Sequence, residues 1–206
     1  MKTNLFIAFE GIDGSGKSTQ VKLLAAKLKA QGIKVYTTFE PTDNPIGAMI
    51  RQIMKGEMKA DHRTIAGLFV ADRLDHILNE NNGLLKKLEE GYTVITDRYY
   101  FSSYAYHSPH MPMDWVIQAN AMSAELLRTD LNIYIDISPE VSMKRIQAAR
   151  ESIELFETLD NLKSVRDKYM EAFEKLKHEE HIFITDGDRE AEEIASDVWN
   201  AISKLM

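Results

Sequence analysis

The chain has 206 residues, 44% hydrophobic and 28% charged, the balance of a soluble chain able to bury one good core. Lys and Arg number 25 against 32 Asp and Glu, a formal net charge of −7, so a generally basic surface for gripping nucleic acid is excluded and any polyanion must bind locally. No Cys is present, which removes disulfides, thiolate zinc sites and cysteine nucleophiles together and permits a reducing compartment.

In chain order, a first strand is predicted over Leu5 to Phe9, too short for the about 20 residues of a membrane helix and cut by Glu10 before a signal peptide could form. The expectation is a cytoplasmic protein without a membrane partner. A helix follows over Ser18 to Gln31, where Val21, Leu24, Ala25 and Leu28 recur at helical spacing before Gly32 stops it. Next come a strand over Val35 to Phe39 and helices over Ile46 to Lys55, Thr64 to Asn81 and Leu84 to Glu90. A third strand over Thr93 to Thr96 precedes a helix over Met113 to Leu127. Asn132 to Ile137 reads as a strand, Pro139 to Ala149 as a helix with its proline where no backbone donor is needed, and Leu159 to Lys177 as a further helix. A strand over His181 to Ile184 and a helix over Glu190 to Leu205 close the series.

Strands alternating with helices specify an α/β fold with a parallel sheet, and most of the strands read as nearly continuous apolar runs, as expected for burial on both faces. No repeat or Gly/Pro/Ser-rich linker divides the chain, so residues 1–206 are expected to form one domain. The charged run from Glu171 to Glu180 is expected to be a solvated helix face and its end. The six His have no metal-ligand spacing: His107 and His110 flank Ser-Pro in a predicted loop, His178 and His181 frame two Glu, and all four are expected to be polar surface residues.

Gly11, Ile12, Asp13, Gly14, Ser15, Gly16, Lys17 and Ser18 match G-x-x-x-x-G-K-[ST], between the first strand and the first helix. Backbone N–H groups of such a loop converge on phosphate oxygens, and the helix that follows presents its positive dipole end. Lys17 supplies a charge near the β and γ phosphates. Ser18 offers a hydroxyl to Mg²⁺, a cation that prefers oxygen ligands. A nucleoside triphosphate site follows. The N-K-x-D signature of small GTPases is missing and the glycine pattern is not that of protein kinases, which points to a small-molecule kinase. At the end of the third strand stand Asp97 and Arg98. Carboxyl ends of parallel strands face the ligand crevice, so Asp97 could hold Mg²⁺ through water and Arg98 could grip a phosphate.

With these stretches in view the chain resembles the thymidylate kinases, which move the γ-phosphoryl of ATP to dTMP. The resemblance runs through Phe9 to Gln20, Phe39-Glu40-Pro41, Leu68 to Arg73, Asp97-Arg98-Tyr99 with Ser102 to Tyr106, and Tyr134 to Val141. It implies a P-loop nucleoside monophosphate kinase fold: a five-stranded parallel sheet with helices on both faces, a small lid over approximately 145–158, Mg-ATP as donor and a homodimer. Gly11 to Ser18, with Thr19 and Arg145, would bind ATP. Asp13 resembles the acidic position that meets the acceptor's sugar and orients arginines. Phe69 and Arg73, four residues apart on one helix face, look like a thymine clamp. Glu40, Arg98, Ser102 and Ser103 would also border dTMP, Arg51 resembles the acceptor-phosphate arginine, and Tyr106 the aromatic that closes on the sugar's 2′ side. Lys17, Arg98, Asp13 and a lid arginine would carry catalysis. The loop itself holds no arginine, so Arg150 is expected in that role, with Arg145 the alternative.

Two departures stand out. Leu155, within Glu154-Leu155-Phe156-Glu157, replaces a basic residue usual in relatives, and Phe39 occupies the place of an arginine that many bacterial relatives carry before the Glu. A deoxynucleoside kinase and a nucleotide-binding protein without transfer chemistry are the alternative readings.

Overall fold

The structure, a computed structural model, describes residues 4–149, 156 and 158–206. Five strands, β1 (Phe6–Glu10), β2 (Val35–Phe39), β3 (Thr93–Asp97), β4 (Leu131–Asp136) and β5 (Ile182–Asp186), form one parallel sheet in the order β2-β3-β1-β4-β5. The α/β expectation therefore holds. Register places Phe9 and Phe39 on either side of Asp97, and Glu10 beside Tyr134, so the carboxyl ends of the central strands come out together.

Period-two alternation divides the core. Ile7, Phe9, Ile95, Ile133 and Ile135 face α1 (Lys17–Ala30) and α10 (Ala191–Ile202), meeting Val21, Leu24, Leu28, Ile194 and Val198. Phe6, Ala8, Val94 and Tyr134 face the other way, toward α5 (Tyr100–His107) and α9 (Leu159–Leu176), where Phe101, Tyr104, Val165, Tyr169 and Phe173 complete an aromatic-rich cluster. The remaining helices are α2 (Pro45–Met54), α3 (His62–Leu78), α4 (Leu84–Glu89), α6 (Met113–Ala119), α7 (Ala121–Leu126) and α8 (Pro139–Ala149). Among the described residues no helix is long and apolar enough to cross a membrane.

Burial on both faces holds for β1, β3 and β4, most of the strands as expected; β2 and β5 are edge strands and stay partly open. Three expectations change, and one helix had not been delineated. The helix expected over Met113 to Leu127 is two, because buried Asn120 turns its amide back onto the Val116 carbonyl at 2.8 Å and closes α6 as α7 begins. α5 went undelineated in the sequence because every one of its residues is buried, which erases the helical period. His107 is the last residue of α5, not a surface loop residue, and is 2% exposed because α5 is packed against α3 and α9. Glu180, at the end of the charged run, is buried: Tyr100 and Asn132 donate hydrogen bonds to it, and Arg128 pairs with it at 2.5 Å.

Candidate active site

The loop between β1 and α1 folds as its glycines require. Gly11 has φ +148°, and a Cβ there would lie 2.8 Å from the Ile135 carbonyl oxygen; Gly14 has φ +73°, with the Ser142 carbonyl oxygen 3.0 Å from its would-be Cβ. Only glycine lets the loop lie this close to β4 and α8. The loop ends at the open N-terminus of α1, where Lys17, Ser18 and Thr19 line a cavity of about 670 Å³ with Asp13, Gly14, Ser15 and Gly16. Gly11 and Ile12 lie beneath it, and their carbonyls accept the Lys17 ammonium at 3.0 and 3.1 Å. Burial, with Arg98 close by, pulls the Lys17 ammonium down to about 8. An anion in the loop would reverse that pull.

At the far wall of this cavity Arg145 donates to the Gly187 carbonyl at 3.1 Å, and Arg189 stands beside it, pairing with Asp197 at 2.6 Å. Ser18 Oγ donates to Asp97 Oδ2 at 2.6 Å, which sets a hydroxyl and a carboxylate side by side at the cavity floor. Hard oxygen donors of this kind suit Mg²⁺. Among the described residues no group of three His, Cys, Asp or Glu comes together in a metal cage.

A second cavity, about 230 Å³, opens beside the first. Phe39, Pro41, Met54, Phe69 and Phe156 supply its apolar walls, and Arg51, Lys55 and Arg98 its positive charge. Arg51 donates to the Pro41 and Thr42 carbonyls and pairs with Asp43 at 3.2 Å. Asp13, Phe39 and Arg98 belong to both cavities and form the wall between them.

Arg98 is the pivot of that wall. Its φ of +75° is the one left-handed value among non-glycine residues of the described chain. That backbone turns the side chain back from β3 over the loop. There it donates to Asp13 (2.7 Å), the Gly11 carbonyl (3.1 Å), Ser102 (2.9 Å) and the Tyr106 hydroxyl (3.1 Å), with the guanidinium 4.8 Å from the Tyr106 ring centre. Burial opposes its charge, but Tyr106 and Asp13 hold its pKa well above the ordinary arginine value. Asp13, which also accepts the Tyr106 hydroxyl at 2.8 Å, is kept below the usual carboxylate range by Arg98 and Lys17 against the effect of burial. Behind them Glu10, its carboxyl raised by burial, accepts from Ser102 (2.6 Å), Tyr169 (2.9 Å) and the Tyr99 amide (2.9 Å).

Phe69, Ser102, Ser103 and Tyr106 line the second cavity; Arg73 does not. It is wholly buried behind the wall. Its five N–H groups go to Glu40 (2.9 and 2.6 Å), Ser103 (3.0 Å), the Tyr99 carbonyl (3.1 Å) and Asn120. Glu40 also takes His76 at 3.1 Å; it borders the first cavity, not the second. Burial opposes the Glu40 charge, yet Arg73 and His76 hold the carboxyl below its ordinary value.

Residues 150–155 and 157, which include Arg150, Glu154, Leu155 and Glu157, lie outside the described residues. Site residues the sequence reading missed include Glu10 and Phe39, which the rule that placed Asp97 at a strand's carboxyl end could have found. Tyr169, Arg189 and His107 come from distant segments with no local signal.

The family model described as thymidylate kinase matches residues 9–198. A probable thymidylate kinase of Caldivirga maquilingensis is 37% identical over 96% of this chain and 93% of its own length. One from Methanocaldococcus jannaschii is 35% identical over 100% and 99%, and a thymidylate kinase of Leptospira borgpetersenii is 35% identical over 80% and 79%. Because the match takes in the walls of both cavities and not the phosphate loop alone, the chain belongs to the thymidylate kinase family.

Proposed function

We propose that the chain transfers the γ-phosphoryl group of Mg-bound ATP to dTMP, giving dTDP and ADP, with ATP in the larger cavity and dTMP in the smaller. The observation that carries this is the shared wall of Asp13, Phe39 and Arg98, which lets two phosphate chains meet across one guanidinium. The second pKa of the acceptor phosphate lies near 6, so its oxygen is already nucleophilic at neutral pH and needs no general base. It attacks the γ-phosphorus while the bond to the β–γ bridging oxygen breaks. Lys17 and Arg98 take up charge that shifts to the transferring group and to the leaving ADP, and Arg51 and Lys55 hold the acceptor phosphate in line. Ser18 and Asp97 would hold Mg²⁺, which supplies charge neutralisation and a fixed geometry to the donor phosphates.

The lid over 145–158 carries the remaining arginine, Arg150, with Arg145 the alternative. A cytoplasmic homodimer that serves dTTP synthesis completes the reading; exposed Trp115, Met122 and Leu126 on α6 and α7 support a partner surface. A nucleoside kinase would need a base for a neutral hydroxyl, and Asp13 is poorly suited, being already paired with Arg98 and Tyr106. Coupled ADP release with dTMP, dUMP, dCMP and thymidine as separate acceptors tests the assignment. Preference for dTMP is expected; turnover of thymidine but not dTMP, or ATP binding without acceptor-dependent ADP, would overturn it.

A further inference from the structure

The turn between β2 and α2 runs through Pro41, Thr42, Asp43 and Asn44, and two carboxylates of α3 hold it. Asp72 accepts the Thr42 backbone N–H at 2.8 Å on one oxygen and the Thr42 hydroxyl at 2.6 Å on the other. Three residues on, Asp75 accepts the side-chain amide of Asn44 at 2.6 Å, and the Asn44 backbone N–H donates to Thr42 Oγ at 3.2 Å. Asp72 is fully buried and lines neither of the two cavities. Burial pushes its carboxyl up, and the two hydrogen bonds from Thr42 work against burial.

α2 is shaped for the same turn. A Cβ on Gly47 would lie 2.6 Å from the Thr42 nitrogen and closer still to the Thr42 carbonyl oxygen, so only glycine lets the turn seat against this helix. Arg51 follows four residues later on the same helix face. Its Nη1 donates to the Pro41 and Thr42 carbonyls while the side chain lines the smaller cavity. Main-chain oxygens thus fix one edge of the guanidinium. Asp43, paired with Nη2 at 3.2 Å, is 79% exposed and gives little hold by comparison. α3 therefore reaches Arg51 in two steps, from the Asp72 carboxylate to Thr42 and from the Thr42 carbonyl to the guanidinium.

We propose that Asp72 is a positioning residue for the acceptor phosphate: by fixing Thr42 it sets where the Thr42 carbonyl stands, and with it the reach of Arg51 into the smaller cavity. This rests on the reading of that cavity as the dTMP site with Arg51 on the phosphate. An arginine loses rotamer freedom when it grips a phosphate, and a guanidinium already held by the main chain loses less. Removing the Asp72 carboxylate leaves a buried N–H and a buried hydroxyl without a partner, so the turn shifts to satisfy them and takes the Arg51 anchor with it. The effect falls on the phosphate of the acceptor, and neither on its sugar and base nor on ATP.

The test combines steady-state kinetics of the full chain with calorimetric binding of dTMP and of thymidine, which lacks the phosphate, for wild type, Arg51→Ala, Asp72→Ala, Asp72→Asn and the double variant Arg51→Ala with Asp72→Ala. Asp72→Ala is expected to raise the dTMP KM about tenfold, with the ATP KM and thymidine binding within about twofold of wild type. Asp72→Asn, which keeps an oxygen for the Thr42 N–H, should recover part of the loss. The double variant should have a dTMP KM within about twofold of Arg51→Ala alone, because Asp72 acts through that arginine. If Asp72→Ala does not fold, Asp72→Asn and Thr42→Val, which removes only the hydroxyl, carry the same comparison with smaller changes in the same direction. A dTMP KM unchanged within about twofold in these variants would overturn the proposal. So would equal weakening of dTMP and thymidine, the mark of a packing role, or additive losses in the double variant. Wild type that ignores dTMP, or Arg51→Ala with an unchanged dTMP KM, overturns the cavity reading and this proposal together, and is recognised before any Asp72 variant is compared.

Discussion

Glu40 and Arg73 form an ion pair at 2.6 Å with each side chain 1% exposed, and the guanidinium is the strut that holds Ser103 and Asn120 in place. Replacing Glu40 by Gln keeps the side-chain size and one accepting oxygen but strands the Arg73 charge in the core. Breaking one side of such a pair costs about 3–5 kcal/mol. For a chain of this length each kcal/mol moves Tm by about 2–4 °C, so Glu40→Gln should melt on the order of 6–20 °C below wild type. Adding Arg73→Met removes the stranded charge, so the double variant should be less destabilised than the sum of the two single changes. pH dependence gives a second check. The Glu40 carboxyl is depressed in the folded state, so its stabilisation is fully present above the ordinary value of 4.5 and is lost as pH falls through the depressed one. Glu40→Gln should therefore flatten the acid side of the stability curve. Urea unfolding followed by circular dichroism from pH 3 to 8 measures both effects, those limits being chosen at about one unit or more either side of a carboxylate's range. Unfolding of Glu40→Gln within about 1 kcal/mol of wild type, or strict additivity in the double variant, would refute the argument.

Three further outcomes are expected. Lys17, at about 8 in the free chain, should regain its ordinary affinity for a proton beside a triphosphate; ATP binding at pH 8 should then take up about half a proton and weaken as pH rises further, which calorimetry in buffers of different ionisation enthalpy would read and Lys17→Met should abolish. Asp97→Asn, which removes the charge beside Ser18, should raise the Mg²⁺ concentration for half-maximal ADP release about tenfold while leaving Tm nearly unchanged. Arg150→Ala should lower kcat by about 10³-fold or more with little change in dTMP KM, whereas Arg145→Ala, whose guanidinium lies on the wall of the larger cavity, should act mainly on ATP KM; unchanged turnover in Arg150→Ala would move the proposed catalytic role to Arg145.

The amino-acid order alone determined the phosphate loop, the strand–helix alternation and the candidate charges at strand ends. These are local: eight successive residues make the loop, and the amides that would hold a phosphate belong to its own backbone. Nearly continuous apolar runs fixed β1, β3 and β4 almost to the residue, because central strands of a parallel sheet are apolar on both faces. α5, buried throughout yet mixing Tyr, Ser and His with its apolar residues, offers neither such a run nor a helical period.

Tertiary structure decided what the charges do. Phe69 and Arg73 share a helix face, yet only Phe69 reaches the cavity; Arg73 is drawn back by Glu40, 33 residues earlier, and by Asn120, 47 residues later. Arg98 joins Asp13 across 85 positions because a left-handed backbone turns it there. His107 passes from a polar loop residue to a buried imidazole for the same reason. Burial and pairing depend on which distant segments pack together, and a buried charge goes to whichever partner best replaces its water, a choice set by three-dimensional proximity and not by spacing along the chain.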